Sequence, residues 1–312
     1  MGYFLMLLST LSLGITLGAN DAGNVFGAAV ATRFIKYRTA VILIFIFVLI
    51  GSILQGGKGI DTLRAVTNQN VNTSVLVGLV VAGVGIIFTF LGQPISLSQS
   101  VVGGLLGLGL SQKTLDIGII EKIVLSWITA PLGACMCALI LYKFFNAIFS
   151  NLSIGILQRE LIIKVGLIIA GVIGAYALGA NNVANTVGMF AGVWSETSTI
   201  ELTFLGGASI GIGALLFSRS VMMNIGEGIV ALDGFSAFVS VVSSGVTVYI
   251  FSIIGVPVST THTIVGAVVG VGIHHGFHTL KFKTIREILL SWVFAPAICL
   301  ILTSSGYAIF IA

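Results

Sequence analysis

A short polar sequence occurs twice in this chain, each time inside a long apolar stretch. Residues 18–27 read GANDAGNVFG, and residues 179–188 read GANNVANTVG. Asparagine and aspartate side chains in apolar surroundings are costly to bury unless they line a cavity or bind a ligand. A polar motif of this kind, repeated half a chain apart, predicts a duplicated fold with a functional site where the two copies meet.

The surroundings of both motifs are too apolar for a water-soluble protein. The chain has 312 residues, of which 57% are hydrophobic and only 8% carry a charge, whereas a soluble domain has about 25% charged residues. Apolar runs separated by polar loops predict membrane-spanning helices of about 20 residues each. The composition therefore predicts an all-α polytopic protein of the lipid bilayer. Its net charge of +4 is spread over loops and does not indicate nucleic-acid binding.

Two further features repeat in the same order as the polar motif. The sequence PISLSQS at 94–100 matches PVSTTHT at 257–263, and SWITAP at 126–131 matches SWVFAP at 291–296. The offsets between the copies are 161, 163 and 165 residues, so they drift by only a few positions along the chain. We therefore expect an N-terminal repeat, 1–155, and a C-terminal repeat, 156–312.

Loop charge predicts that the two repeats have opposite orientations in the membrane. The loop after the first motif contains Arg33, Lys36 and Arg38, whereas its counterpart contains Glu196 and Glu201. The imbalance reverses between the loops at 113–122 and 281–287, of which only the second is net basic. Cytoplasmic loops are enriched in Lys and Arg, so equivalent loops are expected on opposite sides. This pattern predicts an inverted repeat with both chain termini outside and residues 143–160 inside.

The apolar segments predict about 10–12 membrane segments in total. The first and sixth are too long for straight helices, and we expect each to be broken at its Gly-Ala-Asn motif. The Ser- and Thr-rich segments after Pro94 and Pro257 are candidates for re-entrant hairpins that would replace full crossings. One consistent path has five segments per half, at 3–32, 38–56, 71–91, 94–112 and 122–143, then 161–194, 200–218, 233–254, 257–274 and 288–311.

The polar segments supply ligands for an anion and a cation without any Lys or Arg. Asp21 and Asn24 lie three residues apart, as do Asn182 and Asn185, so each pair shares one helix face. Helix N-termini created by a break would bind an anion, while Asn and Asp oxygens suit a hard cation such as sodium. A carboxylate accepts a hydrogen bond from a protonated oxyanion, so Asp21 would favour phosphate over sulfate.

Together, GANDAGN, GANNVANTVG and PVSTTHTIVGAVVG resemble the duplicated signature of the inorganic phosphate transporter (PiT) family. The resemblance covers both halves and implies secondary transport of inorganic phosphate coupled to sodium or protons. It also implies an inverted-repeat helical fold that tends to form a homodimer in the cell membrane, with no organic cofactor. The implied substrate site comprises Asp21, Asn24, Ser98, Gln99, Ser100, Asn182, Asn185, Thr261, His262 and Thr263. The candidate sodium ligands are Asn20, Asp21, Asn24, Asn181, Asn182 and Asn185.

The sequence departs from the family pattern at two places. Asn182 stands where the common pattern has Asp, which leaves Asp21 as the one central carboxylate. Gln99 stands where the second repeat has His262, so the two half-sites are not equivalent. A single carboxylate argues against a proton mechanism that needs two acids. Sodium is therefore the expected coupling ion, with protons as the alternative.

Other functions are compatible with parts of the sequence. The same architecture could carry sulfate or a small carboxylate, or form a passive channel. The segment from Gly207 to Gly211 matches the nucleophile elbow of serine hydrolases, in which Ser209 and a histidine such as His262 would be catalytic. Chance matches to this pattern arise easily in a chain rich in Gly and Ser. We therefore expect Ser209 to serve packing and the chain not to be an enzyme.

Overall fold

The computed structural model describes residues 2–91, 95–153, 155–193, 198–228 and 232–311, without the side chains of 224–228 and 277. Within these ranges the protein is helical and has no strand. The α-helices are α1 (Gly2–Ala31), α2 (Tyr37–Gln55), α3 (Gly57–Arg64), α4 (Val71–Phe90), α5 (Leu97–Gln112), α6 (Ile117–Asn151), α7 (Ile156–Val187), α8 (Thr199–Phe217), α9 (Arg219–Gly228), α10 (Gly234–Ile254), α11 (Thr260–His275) and α12 (Phe282–Phe310).

The helix order of the first half is repeated in the second. Each half has a long helix, a 19-residue helix, a short helix, a helix pair and a final long helix. Among the described residues, eight helices are long and apolar enough to cross a membrane, and α5 and α11 are shorter, with 16 residues each. The protein is therefore a multi-pass membrane protein, and these ten helices lie at the lower end of the predicted 10–12 membrane segments.

Polar side chains fix where several helices begin. The side chain of Asn70 accepts a hydrogen bond from the backbone N–H of Thr73 at the start of α4. Asp116 starts α6 and Asp233 starts α10 in the same way. Such caps satisfy N–H groups that have no partner within the helix. The loop composition thus determines where the apolar helices begin.

Contacts between helix ends define two faces of the molecule. At the first face, the Oγ1 atoms of Thr67 and Thr114 lie 2.6 Å apart, and a Cβ on Gly2 would contact Val71. At the second face, Tyr37 and Ser218 share a hydrogen bond of 3.3 Å. The start of α1 and the end of α12 lie at the first face, since α12 packs against α4 through Gly306 and Leu76.

Two helix pairs enter from opposite faces and return to the face from which they came. The pair α4–α5 starts and ends at the first face, where Thr67 meets Thr114. The pair α10–α11 starts and ends at the second face, where Ser236 and His275 Nε2 lie 3.0 Å apart. The re-entrant hairpins expected from the sequence are therefore present. Pro257 lies two residues before the N-cap of α11, whereas Pro94 lies outside the described residues. Glu196, whose charge contributes to the predicted orientation of the repeats, also lies outside them.

Glycines allow helices of the two halves to pack closely. A Cβ on Gly18 of α1 would collide with the carbonyl of Ile210 in α8, and a Cβ on Gly179 of α7 with that of Val48 in α2. Gly103 of α5 likewise packs on Pro296 of α12, as Gly266 of α11 packs on Pro131 of α6. Gly103 and Gly107, like Gly266 and Gly270, have the GxxxG spacing that predicts close helix packing, and the structure confirms this prediction. Their contacts interleave the two halves around a common centre.

The predicted breaks at the Gly-Ala-Asn motifs are wrong. Residues 18–24 lie within an uninterrupted α1, and residues 179–185 lie within an uninterrupted α7. A break is not needed because polar side chains of a continuous helix can reach partners on other helices. The helix N-termini inside the protein belong instead to α5 and α11. Anion binding at a helix N-terminus, predicted for broken helices, could therefore occur only at these two ends among the described residues of the core.

Candidate functional site

The two polar motifs meet where α1 and α7 lie side by side in the core. The Asp21 side chain is only 2% exposed and accepts a hydrogen bond of 2.7 Å at Oδ2 from Nδ2 of the buried Asn182. These two residues occupy the same position in the two copies of the motif. The contact therefore joins equivalent positions of the two halves. A buried carboxylate needs such donors, because an uncompensated charge is costly in an apolar interior.

Asn24 and Asn185 extend this contact towards the helix pairs. The Asn24 amide donates to Oγ1 of Thr260 at 2.9 Å and of Thr261 at 3.0 Å, and lies 3.3 Å from Asp21 Oδ1. The Asn185 amide donates to Ser98 Oγ at 2.8 Å and to Oδ1 of Asn182 at 3.0 Å. Each asparagine thus joins a motif to the hairpin of the opposite half.

The tips of the two hairpins also hold each other. Ser98 donates to the carbonyl oxygen of Val258 at 3.3 Å, and Thr261 donates to the carbonyl oxygen of Ile95 at 3.0 Å. Ser98 and Thr261 are sequence counterparts, and so are Ile95 and Val258. The two bonds therefore form a reciprocal brace that joins the hairpin tips at the centre of the molecule.

Two helices, α5 and α11, begin at this centre. Ser96 caps α5 by accepting from the backbone N–H of Gln99, and Ser259 caps α11 by accepting from that of His262. The first N–H groups of each helix have no partner within the helix, and the helix dipole adds positive potential there. The described residues of this cluster include no Lys or Arg. Its hydroxyl groups and helix N-termini can nevertheless bind an anion.

Two amide oxygens at the centre lack hydrogen-bond partners. Oδ1 of Asn24 and Oδ1 of Asn185 are buried and accept no hydrogen bond from the described part of the chain. Buried polar atoms are normally paired with protein groups, ordered water or a ligand, so two unpaired oxygens at equivalent positions are available to bind a ligand. Amide and carboxylate oxygens are the ligands of hard cations, so these atoms and Asp21 can bind a cation such as sodium.

Asn20 and Asn181, the other asparagines predicted as sodium ligands, make different contacts. Both ends of the Asn181 amide bind the backbone of Val258, with Nδ2 donating at 2.7 Å and Oδ1 accepting at 3.0 Å. Asn181 Nδ2 also lies 3.0 Å from Oδ1 of Asn182. Asn20 Nδ2 lies 3.5 Å from Oγ1 of Thr89 in α4. These contacts favour positioning of the hairpin tips over ion coordination.

Four predicted site residues lie at the hairpins, but their side chains make no described hydrogen bond to the side chains of the central network. The hydroxyl of Ser100 donates to the backbone of Ser96, and that of Thr263 bonds Ser244. His262 stacks on Trp292 with ring centroids 3.6 Å apart, and its Nδ1 lies 3.1 Å from the Trp127 carbonyl. The fourth is Gln99, whose Oε1 is buried without a described partner. Helical geometry explains this, because residues next to Ser98 and Thr261 face other directions.

Thr260 belongs to the network, although it is not among the residues predicted from the sequence. Its hydroxyl accepts from Asn24 at 2.9 Å. Its counterpart in the first half is Leu97, so comparing the two repeats gave no polar signal there. The available signal was its place one residue after the N-cap Ser259, which directs it to the same helix end as Thr261.

Ser209 has a packing role. It lies buried in α8, donates to the carbonyl oxygen of Gly206 at 2.8 Å and is close to Gly14 of α1. The described hydrogen bonds of His262 do not include Ser209. In addition, among the described residues no group of three or more His, Cys, Asp or Glu could hold a metal ion. The geometry therefore gives no support to the hydrolase alternative.

Opposed re-entrant hairpins, interleaved halves and a buried polar centre define a multi-pass membrane transporter. Comparisons with known proteins agree with this class. Residues 17–303 match the model of the phosphate transporter family, and the chain belongs to that family. The names of the family and of its relatives are those of transporters, not of enzymes.

Individual relatives cover nearly the whole chain. A protein from Methanocaldococcus jannaschii that is named a phosphate permease is 33% identical over 298 residues, which cover 96% of this chain and 94% of the relative. The sulfate permease CysP of Bacillus subtilis is 28% identical over 98% of this chain and 90% of its own length. A solved structure titled as the sodium-dependent phosphate transporter superposes with a TM-score of 0.88 at 22% identity, covering 98% of both chains. This last likeness establishes the fold.

Proposed function

We propose that the protein imports inorganic phosphate together with sodium, by alternating access to the site between α1 and α7. The observation that carries this proposal is the pair of unpartnered amide oxygens, Asn24 Oδ1 and Asn185 Oδ1, beside the carboxylate of Asp21. These oxygens can coordinate a cation, and towards an anion they can only accept a hydrogen bond from a protonated oxygen. The helix N-termini of α5 and α11 supply the complementary anion-binding groups.

Binding of the two ions is expected to be mutually dependent. The site offers one carboxylate and no Lys or Arg among its described residues, so a bare phosphate would face the negative charge of Asp21. A sodium ion on Asp21 and the amide oxygens would offset that charge and leave the hydroxyl of Thr260, which accepts from Asn24, to donate its proton to phosphate beside the helix N-termini. Cation binding before anion binding follows from this electrostatic order.

Phosphate is the favoured anion because of the chemistry of Asp21. Phosphate retains a proton near neutral pH and can donate it to the carboxylate, whereas sulfate has no proton to donate. A sulfate permease stands among the relatives, so sulfate is the alternative substrate. The name of the solved neighbour supports sodium as the coupling ion, and a proton is the alternative.

We infer an inverted duplication, 1–155 and 156–312, in the cell membrane with both termini outside. The helix order repeats, the hairpins enter from opposite faces, and the second face carries the basic clusters at 33–38 and 281–286. Basic loops face the cytoplasm, so the second face would be the inner one. A homodimer is also expected, by resemblance to the family.

The direct test is uptake of labelled phosphate into liposomes that contain the purified protein. An inward sodium gradient should drive uptake, while an inward proton gradient without sodium should not. Uptake driven by protons alone would transfer the coupling role from sodium to a proton. Unlabelled sulfate in excess should not compete. If neither gradient drives phosphate uptake but labelled sulfate enters, the substrate assignment is overturned.

A further inference from the structure

The short helices α3 and α9 lie at opposite faces, each next to the tip of one hairpin. α3 follows α2 at the first face, and α9 follows α8 at the second. Each has one basic residue in its first turn, since Lys58 is the second residue of α3 and Arg219 is the first of α9. The hairpin helices α4 and α10 end near them, at Phe90 and Ile254.

At the first face the hairpin tip is bonded to α3. Lys58 Nζ donates to the carbonyl oxygen of Ile253 at 3.0 Å, and Thr62 Oγ1 donates to that of Gly255 at 2.7 Å. The last carbonyl groups of a helix lack partners within the helix and carry negative potential, so a lysine there caps α10. A cavity of about 600 Å³ lies beside this tip, lined by Asp61 and Thr62 of α3 and by α6, while the bonds from Lys58 and Thr62 hold the tip on α3.

At the second face the corresponding contact is open. Phe90, the counterpart of Ile253, ends α4 and is 85% exposed. A cavity of about 530 Å³ separates it from Arg219 and Ser220 and is also lined by Ser12 and Thr16 of α1. Within the described part of the chain, no hydrogen bond joins Arg219 to α4. Equivalent elements are thus in contact at one face and apart at the other.

We propose that Lys58 and Arg219 are alternating latches, two positioning residues of the transport cycle. Lys58 holds the α10–α11 tip on α3 while the first face is closed, as in this structure. Arg219 caps the end of α4 when the second face closes and the first opens. This inference rests on the proposed transport function and adds to it the groups that hold each gate.

The brace between the hairpins explains why the latches alternate. Ser98 bonds the backbone of the α10–α11 tip, and Thr261 bonds that of the α4–α5 tip. The tips therefore move together, so movement of one towards its short helix draws the other away. Binding at the site between them can then be coupled to which face is open.

Cysteine accessibility tests the latches. Ser12→Cys reports on the second-face cavity in a background with Cys135→Ala and Cys137→Ala, and a hydrophilic maleimide is applied in detergent solution. Lys58→Met removes the donor and keeps most of the side chain, so the population should shift towards closure at the second face. We expect the ratio of second-face-open to second-face-closed protein to fall about three- to tenfold, the range for loss of one hydrogen bond, and Ser12→Cys to react more slowly because its rate follows the open fraction. Arg219→Met should not slow it.

Opposite behaviour of the two variants distinguishes a latch from a general effect on folding. Ser150→Cys, exposed at the end of α6, serves as a reporter that should react equally in all variants. Thr62→Val is an independent test, because it breaks the second bond at the first face and should also slow labelling. Unchanged rates with Lys58→Met and Thr62→Val, or slowing by Arg219→Met as well, would overturn the proposal.

Phosphate uptake by the same proteins separates this inference from the proposed function. If Lys58→Met slows labelling and Arg219→Met does not, but the protein moves no phosphate, the latch proposal stands and the phosphate assignment is wrong. Uptake without this difference in labelling would retain the transporter and reject the latches.

Discussion

Asp21 and Asn182 occupy the same position in two copies of one motif and bond to each other, with Asn182 Nδ2 donating to Asp21 Oδ2 at 2.7 Å. Where both copies carry Asp, two carboxylates would face one another here and would need a cation or a proton between them. The amide of Asn182 takes that place without a net charge. This substitution therefore determines how many positive charges the site requires.

The first prediction concerns Asn182→Asp. Two carboxylates about 4 Å apart repel by about 4 kcal/mol at an effective dielectric constant of 20, so the variant should bind phosphate only with an additional cation or proton. We expect at least about tenfold slower uptake at low sodium and pH 8, recovering at high sodium or low pH. Asn68→Asp, on an exposed loop, is the control for the same chemical change. Uptake equal to wild type under all conditions would contradict the role assigned to Asn182.

Replacement of the carboxylate itself tests anion selection. Asp21→Asn keeps the shape of the side chain and removes the charge that accepts from protonated phosphate and repels sulfate. Excess sulfate should then inhibit residual phosphate uptake, which it should not do in the wild type. Glu160→Gln, at an exposed site, removes a charge elsewhere. Continued exclusion of sulfate by Asp21→Asn would assign selectivity to other groups.

The unpartnered oxygens lead to a prediction about sodium. Asn24→Ala and Asn185→Ala each remove one proposed ligand, so the sodium concentration for half-maximal uptake should rise about tenfold, the effect of losing one bond to a charged group. Asn181→Ala, whose amide is occupied by the backbone of Val258, should lower the maximal rate with little change in sodium dependence. Equal sodium shifts in all three variants would show that these asparagines act through structure alone.

Close helix packing leads to a prediction about stability. Gly18→Ala would drive a methyl group into the backbone carbonyl of Ile210 in α8, and overpacking of this kind costs about 1–3 kcal/mol or more. The apparent Tm of the purified protein should fall by about 5 °C or more. Gly83→Ala places its methyl group where nothing lies within 4 Å and should leave Tm unchanged. A similar Tm for both variants would contradict the packing argument.

Local patterns predicted much of the architecture. The low charge and the apolar runs of about 20 residues require membrane helices, and the repeated motifs identify Asp21, Asn24, Asn182 and Asn185 as central residues. The glycines of α5 and α11 were assigned correctly to packing. These features depend on composition and on spacing along one helix, so a linear sequence contains them.

The tertiary structure decided how the parts meet. The sequence suggested broken helices at Gly18 and Gly179, because an isolated polar motif has no visible partners. In the folded protein those partners come from hairpins of the opposite half, so α1 and α7 stay continuous and the helix N-termini are those of α5 and α11. Thr260 joins the site for the same reason. The sequence by itself determined the membrane class, the duplication signal and most of the polar centre. Only long-range packing decided which oxygens stay unpartnered, which amides hold the hairpin tips and which face is closed, since these contacts join residues up to 237 positions apart.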